Sequence, residues 1–244
     1  MNMMDQRSQF TDLSPVLRPR SVAVVGASEQ AGNLGGVAVS LMRKFGFAGN
    51  VYPINPKYET VHGYRCFSSV SDLPEQPDLA IIATSANLAE EIVRDCAAVG
   101  IRHGVIWAGG YSEVGQEGAR LQDTLVATCC ETGFTLVGPN CIGVINTRTA
   151  MVASFASFLV EADRLIPGDI AMISQSGGLA TMAQALAQTK GIGFGLTVSV
   201  GNEAMLTVSD YIHAIAEDDQ IRVIAAYVEG VRDGPRFVEA VTRE

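Results

Sequence analysis

Aromatic residues are scarce, at 7% of 244 residues with a single tryptophan, and charged residues reach only 18%. The charge balance has no positive excess. Seventeen Lys and Arg stand against 26 Asp and Glu, for a net charge of −9. That argues against a general nucleic-acid binder, which needs a basic face. It leaves room for an anion held locally by backbone N–H groups. Cysteine is sparse as well. The five (Cys66, Cys96, Cys129, Cys130 and Cys141) make an odd count with no Cys-x-x-Cys pair. A disulfide framework and a zinc site are therefore not expected, no metal site is assigned, and a reducing cytoplasm fits. No apolar run approaches the roughly 20 residues of a membrane span. The opening "MNMMDQRSQFTDLSP" is polar, without the apolar core of a signal peptide. Neither a membrane nor a nucleic acid is expected as a partner.

What the chain has is glycine, at 25 residues, within 48% hydrophobic content dominated by small aliphatics. That mixture suits a layered α/β protein with close helix–sheet contacts. Short continuous Val/Ile-rich runs, "SVAVVG", "NVYPIN", "LAIIAT", "HGVIWAG" and "FTLVGPN", read as strands of a parallel sheet covered on both faces. Helical patterns over 33–45, 87–99 and 115–132 lie between them. The alternation predicts a Rossmann-like doubly wound α/β unit over residues 10–147. Residues 148–168 read as a connection with room for a short strand or hairpin. A second alternation fills 169–244: strands "DIAMISQ", "FGLTVSVG" and "RVIAAYVEG", with helices 177–190, 205–217 and 234–243. Three strands are few for an α/β sheet, so this second domain is expected to be incomplete.

The stretch "SVAVVGASEQAGNLGG" leaves a strand and enters a helix. Its N–H groups and the helix dipole favour an anion, and its glycines let the backbone come close to it. Ser28 offers a hydroxyl and Asn33 suits an N-cap. The usual Gly-x-Gly-x-x-Gly fingerprint is broken, since Ser28 stands at the second glycine position. An NAD site also puts Asp or Glu at the end of the second strand, to accept from the ribose hydroxyls. Here "YPINPK" offers Lys57 instead. A lysine there fits a ligand with extra phosphate near its ribose, and both NADP and coenzyme A qualify. A solvated loop lysine is the alternative.

The segments "VGAS…G…GG", "GFAGNVYPINPKYETVHGYRCFSSVSDLP", "DLAIIATSA", "GPNCIGVIN", "ISQSGGLA", "VSVGNEA" and "YVEGVRDGPRFVEA" occur in one order. In that order the chain resembles the NDP-forming acyl-CoA synthetases, the ADP-forming acetate–CoA ligases related to the succinyl-CoA synthetase α subunit, over roughly residues 10–244. The resemblance implies a CoA-binding domain followed by a flavodoxin-like ligase domain. It implies CoA contacts at Gly26, Ala27, Ser28, Asn33, Gly35, Lys57, Thr84, Ser85, Asn140 and Cys141. In the family the "GPNC" loop lies near the pantetheine thiol and the reacting acyl group. Cys141 is not expected to be a nucleophile, because the sequence positions no histidine to activate it.

The resemblance further implies that "SQSGG" steadies a phosphohistidine, through Ser174, Ser176, Gly177 and Gly178. A doubly charged phosphoryl group needs dense N–H donors and a positive helix end. A hydrolase elbow is excluded, since Ser174 stands where the first glycine of Gly-x-Ser-x-Gly belongs. Glu229, at the end of the third strand of the second unit, takes the place of the family glutamate that orients the histidine. The family's frequent Gly-Asn-Lys-Ala is Gly-Asn-Glu-Ala here, with Glu203 in place of the lysine. None of His62, His103 and His213 matches the phosphorylated loop, which is expected beyond residue 244. ADP or ATP and Mg are expected only on a nucleotide-grasp domain outside this chain.

Three readings follow. The first is the CoA-binding portion of an acyl-CoA synthetase acting on CoA and a carboxylic acid, with a further domain or β subunit as partner and a homo-oligomer compatible. The second is a non-catalytic CoA-sensing region of a protein lysine acetyltransferase. The third is an NADP-dependent reductase, which only Lys57 favours.

Overall fold

The structure is a computed structural model, and it describes residues 10–242. After a short helix, α1 (Ser14–Leu17), the first sheet begins with β1 (Ser21–Val25). Helix α2 (Leu34–Phe45) leads to β2 (Asn50–Ile54), and a two-residue hairpin follows, β3 (Thr60–Val61) with β4 (Tyr64–Arg65). Then come β5 (Leu79–Ile82), α3 (Ala89–Ala98), β6 (His103–Ile106), α4 (Gln116–Thr132) and β7 (Thr135–Val137). The sheet order is β2-β1-β5-β6-β7, with every neighbouring pair parallel. Val22, Ala23 and Val24 are wholly buried, as are all four residues of β5. Both faces of these strands are covered, which explains why their sequences run apolar instead of alternating. The order reverses between β1 and β5. Ligands of open α/β sheets bind beyond the strand carboxyl ends at such a point.

The second sheet differs from the expectation of three strands. It has five, in the order β12-β10-β11-β8-β9. The parallel part is β10 (Ile170–Ser174), β11 (Phe194–Ser199) and β12 (Val223–Tyr227). A hairpin of β8 (Gly143–Asn146) and β9 (Met151–Ser154) adds two antiparallel strands beside β11. Residue 147 therefore falls in the turn of a hairpin that belongs wholly to the second sheet. The turn is built locally. The Asn146 side-chain oxygen accepts from the N–H groups of Arg148 and Thr149, and Ala150 closes it at φ 57°.

Helices α5 (Phe158–Glu161), α6 (Gly177–Thr189), α7 (Val208–Ala216) and α8 (Gly234–Val241) complete the described chain. One apolar cluster joins the two sheets, running from Val22 and Val39 through Trp107 and Val144 to Ile173 and Tyr211. Helix α2 packs on β9, and Lys44 at its end donates to the carbonyls of Leu159 and Val160. Strand β12 is a sheet edge with Val223 and Tyr227 exposed.

Candidate functional site

The crevice at the β1/β5 switch point is shaped by glycine. Gly26 leaves β1 at φ 88°, and a Cβ there would lie 2.9 Å from both the Ala83 carbonyl oxygen and the Thr84 methyl. A Cβ on Gly36 would lie 2.0 Å from the Ser28 carbonyl oxygen, and one on Gly35 about 3.1 Å from Ala27. The start of α2 is thus pressed against its own entry loop. Asn33 caps the helix, its side-chain oxygen accepting from Gly36 N–H at 2.7 Å. The remaining donors of the first turn have no partner within the helix and carry the positive end of the dipole.

The loop after β2 is fastened to this one. Asn55 donates its amide to the Ala27 carbonyl at 2.8 Å, and the Tyr58 and Ser28 hydroxyls share a hydrogen bond at 2.9 Å. Ser28 is buried, and its oxygen also accepts from Gln30 N–H. Its hydroxyl therefore holds the loop, a role the sequence did not show. Lys57 stands exposed at the rim, on a turn set by its own N–H donating to Asn55. Across the crevice, Ser85 is exposed, and Thr84 Oγ1 is buried without a hydrogen-bond partner among the described residues. An orphaned hydroxyl beside a helix N-terminus, with no acid at the end of β2, fits a phosphate-rich nucleotide such as CoA.

At the seam between the sheets lies 138–142, opened by a cis Gly138–Pro139 bond. Asn140 is exposed at φ 56° and donates its amide to the Asn202 side-chain oxygen. Asn202 in turn donates to Glu113, whose carboxylate also accepts from the N–H groups of Gly110 and Tyr111. Burial raises the Glu113 carboxyl, but these hydrogen bonds outweigh it and hold the group below its ordinary value. Cys141 is buried, its thiol aimed at the Ile106 carbonyl, and burial pushes it up to about 12. Such a thiol supplies no thiolate at neutral pH, so its part here is packing.

The carboxyl ends of the second sheet face the same seam. Val200 N–H donates to the Ser174 carbonyl, and a Cβ on Gly177 would meet Ile142 at 2.6 Å. Ser176 caps α6, accepting from Leu179 N–H at 3.4 Å. Ser174 is fully buried, and its hydroxyl bonds only to the Ser176 backbone, so it shapes the turn. The open features of this turn are the first N–H groups of α6, at Gly177 and Gly178. Space is free around Gly178. Glu229 is exposed just beyond β12, with its backbone N–H donating to the Gln175 side chain. Asn55, Tyr58, Glu113 and Gln175 were not singled out from sequence. Gln175 and Asn55 each lie within one or two residues of a position that was.

His62 is on the β3–β4 turn, 3.5 Å from the Glu29 carboxylate, and His213 stacks on Phe10 at 3.7 Å. His103 begins β6, at the opposite end of the sheet from the crevice. Among the described residues, no group of three or more His, Cys, Asp or Glu is placed to hold a metal ion. Among the described residues, no helix is long and apolar enough to cross a membrane.

Comparison with known proteins finds two family matches along the chain. A CoA binding domain family matches residues 20–147, and the succinyl-CoA ligase like flavodoxin domain matches residues 167–244. The chain is 41% identical over 220 residues to the ADP-forming acetate–CoA ligase I of Archaeoglobus fulgidus, covering 90% of this chain and 31% of that protein. It is 32% identical to the α subunit of the ADP-forming acetate–CoA ligase I of Pyrococcus furiosus, covering 93% and 49%. The dinucleotide-forming acetyl-coenzyme A synthetase 1 of Ca. Korarchaeum cryptofilum, solved with phosphate and ADP, superposes with a TM-score of 0.86 at 31% identity. That match covers 94% of this chain and 48% of the synthetase. The chain spans half or less of the length of these relatives. With both domain families in sequence on one shared seam, the chain belongs to the NDP-forming acyl-CoA synthetase family, in its CoA-binding and succinyl-CoA ligase-like part.

Proposed function

We propose that this chain is the CoA-handling portion of an ADP- or GDP-forming acyl-CoA synthetase. In the complete cycle, phosphate attacks the thioester of an acyl-CoA, giving acyl phosphate and free CoA. The phosphoryl group then moves to a histidine with release of the carboxylic acid, and from histidine to a nucleoside diphosphate. The reverse direction makes the thioester. The crevice between β1 and β5 takes the nucleotide end of CoA, with Lys57 at its phosphates and the Thr84 hydroxyl as an internal donor. The pantetheine runs toward Asn140 at the seam. The N–H groups of Gly177 and Gly178 take the phosphoryl group, and Glu229 holds the imidazole in the tautomer that accepts it.

The histidine, the nucleotide and its Mg belong to a further domain or subunit, as the α-subunit relatives suggest. The five cysteines are free, and all but Cys130 are buried, in keeping with a reducing cytoplasm. The relatives are ligases, which favours an enzyme over a regulatory module.

The observation that carries this reading is the crevice itself. It joins a helix N-terminus, an orphaned hydroxyl and a β2 end without an acid. Hydrogen–deuterium exchange tests it. CoA is expected to protect 26–36, 83–88 and 138–142, while NADP protects none of them. Protection of the crevice by NADP, with 138–142 untouched by CoA, would refute it.

A further inference from the structure

The loop that carries Glu229 is not held by its own strand. Its anchor is the Gln175 side chain, from the end of β10. The Gln175 oxygen accepts from the N–H groups of Glu229 and Gly230, the latter at 3.1 Å. Its nitrogen donates to the Gly230 carbonyl at 2.8 Å and to Glu203 Oε2 at 2.8 Å. All four hydrogen-bonding positions of the amide are used. The other Glu203 oxygen accepts from Val208 N–H at 2.6 Å, at the first turn of α7. Arg232 closes the same loop from its far side, donating to the Asn202 and Glu203 carbonyls.

Glu203 breaks two local rules at once. It is 5% exposed, and it holds a left-handed backbone at φ 50° without being glycine. Burial raises its carboxyl above the ordinary glutamate value, although Val208, Gln175 and Arg232 pull it down. A residue that costs stability twice at a strand end marks a place where geometry matters more than stability. Each carboxylate oxygen meets one donor, and the ionised form satisfies both at full acceptor strength. A proton on one oxygen leaves it a weaker acceptor, and the amide nitrogen of a glutamine sets a donor against a donor.

We infer that Glu203 is a positioning residue: its carboxylate fixes the Gln175 amide, and through it the Glu229 loop, against the phosphate-binding turn of α6. The inference deepens the proposed function and rests on the reading of Glu229 as the carboxylate that holds the imidazole. The charged and titratable groups facing Glu203 are Arg232 from the 228–233 loop and Asp210 and Tyr211 from α7. Asp210 is itself paired with Arg236 at 2.6 Å.

The test is nuclear magnetic resonance on the labelled chain between pH 4 and 8. The Gln175 side-chain N–H signals are expected to titrate with a midpoint above the ordinary glutamate value, and Glu203→Gln should abolish that titration. In Glu203→Gln the Glu229 and Gly230 amides should exchange about tenfold faster than in the native chain, with CoA affinity unchanged. A merely structural defect would speed exchange across the whole second sheet. Persistence of the titration in Glu203→Gln, or unchanged exchange at both amides, would overturn the inference. Should Glu203→Gln not fold, Gln175→Met is expected to give the same acceleration at these two amides, and its absence would be equally decisive. The role of Glu229 is checked separately. Glu229→Gln should leave the Gln175 titration in place while stopping phosphoryl transfer in the complete enzyme.

Discussion

Thr84 offers a test that separates the proposed ligand binding from folding. Its buried hydroxyl oxygen has no partner within the described protein, so removing it costs the fold no hydrogen bond. Thr84→Val keeps the shape. It should leave the urea midpoint unchanged or raise it, while weakening CoA by about 0.5–1.5 kcal/mol, the worth of one hydrogen bond. Calorimetry alongside urea denaturation checks both halves, and equal CoA affinity would remove Thr84 from the site. Ser174 is the opposite case. Its sequence position pointed to a phosphate donor, but its hydroxyl is committed to the Ser176 backbone. The turn is legible in the sequence, while the partner of that oxygen is not. Hydroxyl direction depends on burial by β11 and the seam, which no local pattern records. Gly26 and Asn33 were readable because a strand-to-helix turn requires a left-handed glycine and a capping side chain whatever surrounds it.

At the scale of elements, the entry to α2 is tightly packed. A Cβ on Gly36 would stand 2.0 Å from a backbone oxygen that has no freedom to move aside. Gly36→Ala should cost about 3 kcal/mol, the upper range for overpacking. Gly178→Ala, in the corresponding turn of α6, meets nothing within 4 Å. It should be neutral or stabilising by up to about 1 kcal/mol. Denaturant titration of the two variants checks the contrast, and equal effects would contradict the packing described here.

Long elements were legible. Helices expected over 115–132 and 177–190 are found at Gln116–Thr132 and Gly177–Thr189, because periodicity over a dozen residues is a strong signal. The β8–β9 hairpin was anticipated only as a short piece within 148–168. Its four-residue strands are buried on both faces and show no alternation. Its turn uses Asn146 and Ala150 in place of the Asn-Gly that marks a hairpin. The three-stranded appearance of the second domain followed from that omission.

For the whole molecule, the two sheets work as one body because a single apolar cluster and the 138–142 and 200–206 loops lock their carboxyl ends together. Asn202 N–H donates to the Pro139 carbonyl, and Ala204 N–H to that of Gly138. A ligand laid along the first crevice therefore has a fixed path to the Gly177–Gly178 turn of the second. The net charge of −9 repels a polyanion at long range, so the proposed binding of CoA rests on local N–H groups and on Lys57. The most direct test is calorimetric titration with CoA and, in parallel, with NADP. CoA should bind one-to-one and NADP should give no heat. Lys57→Glu should weaken CoA by about 1–3 kcal/mol, the scale of a charge-assisted hydrogen bond. Binding of NADP in place of CoA would contradict the account.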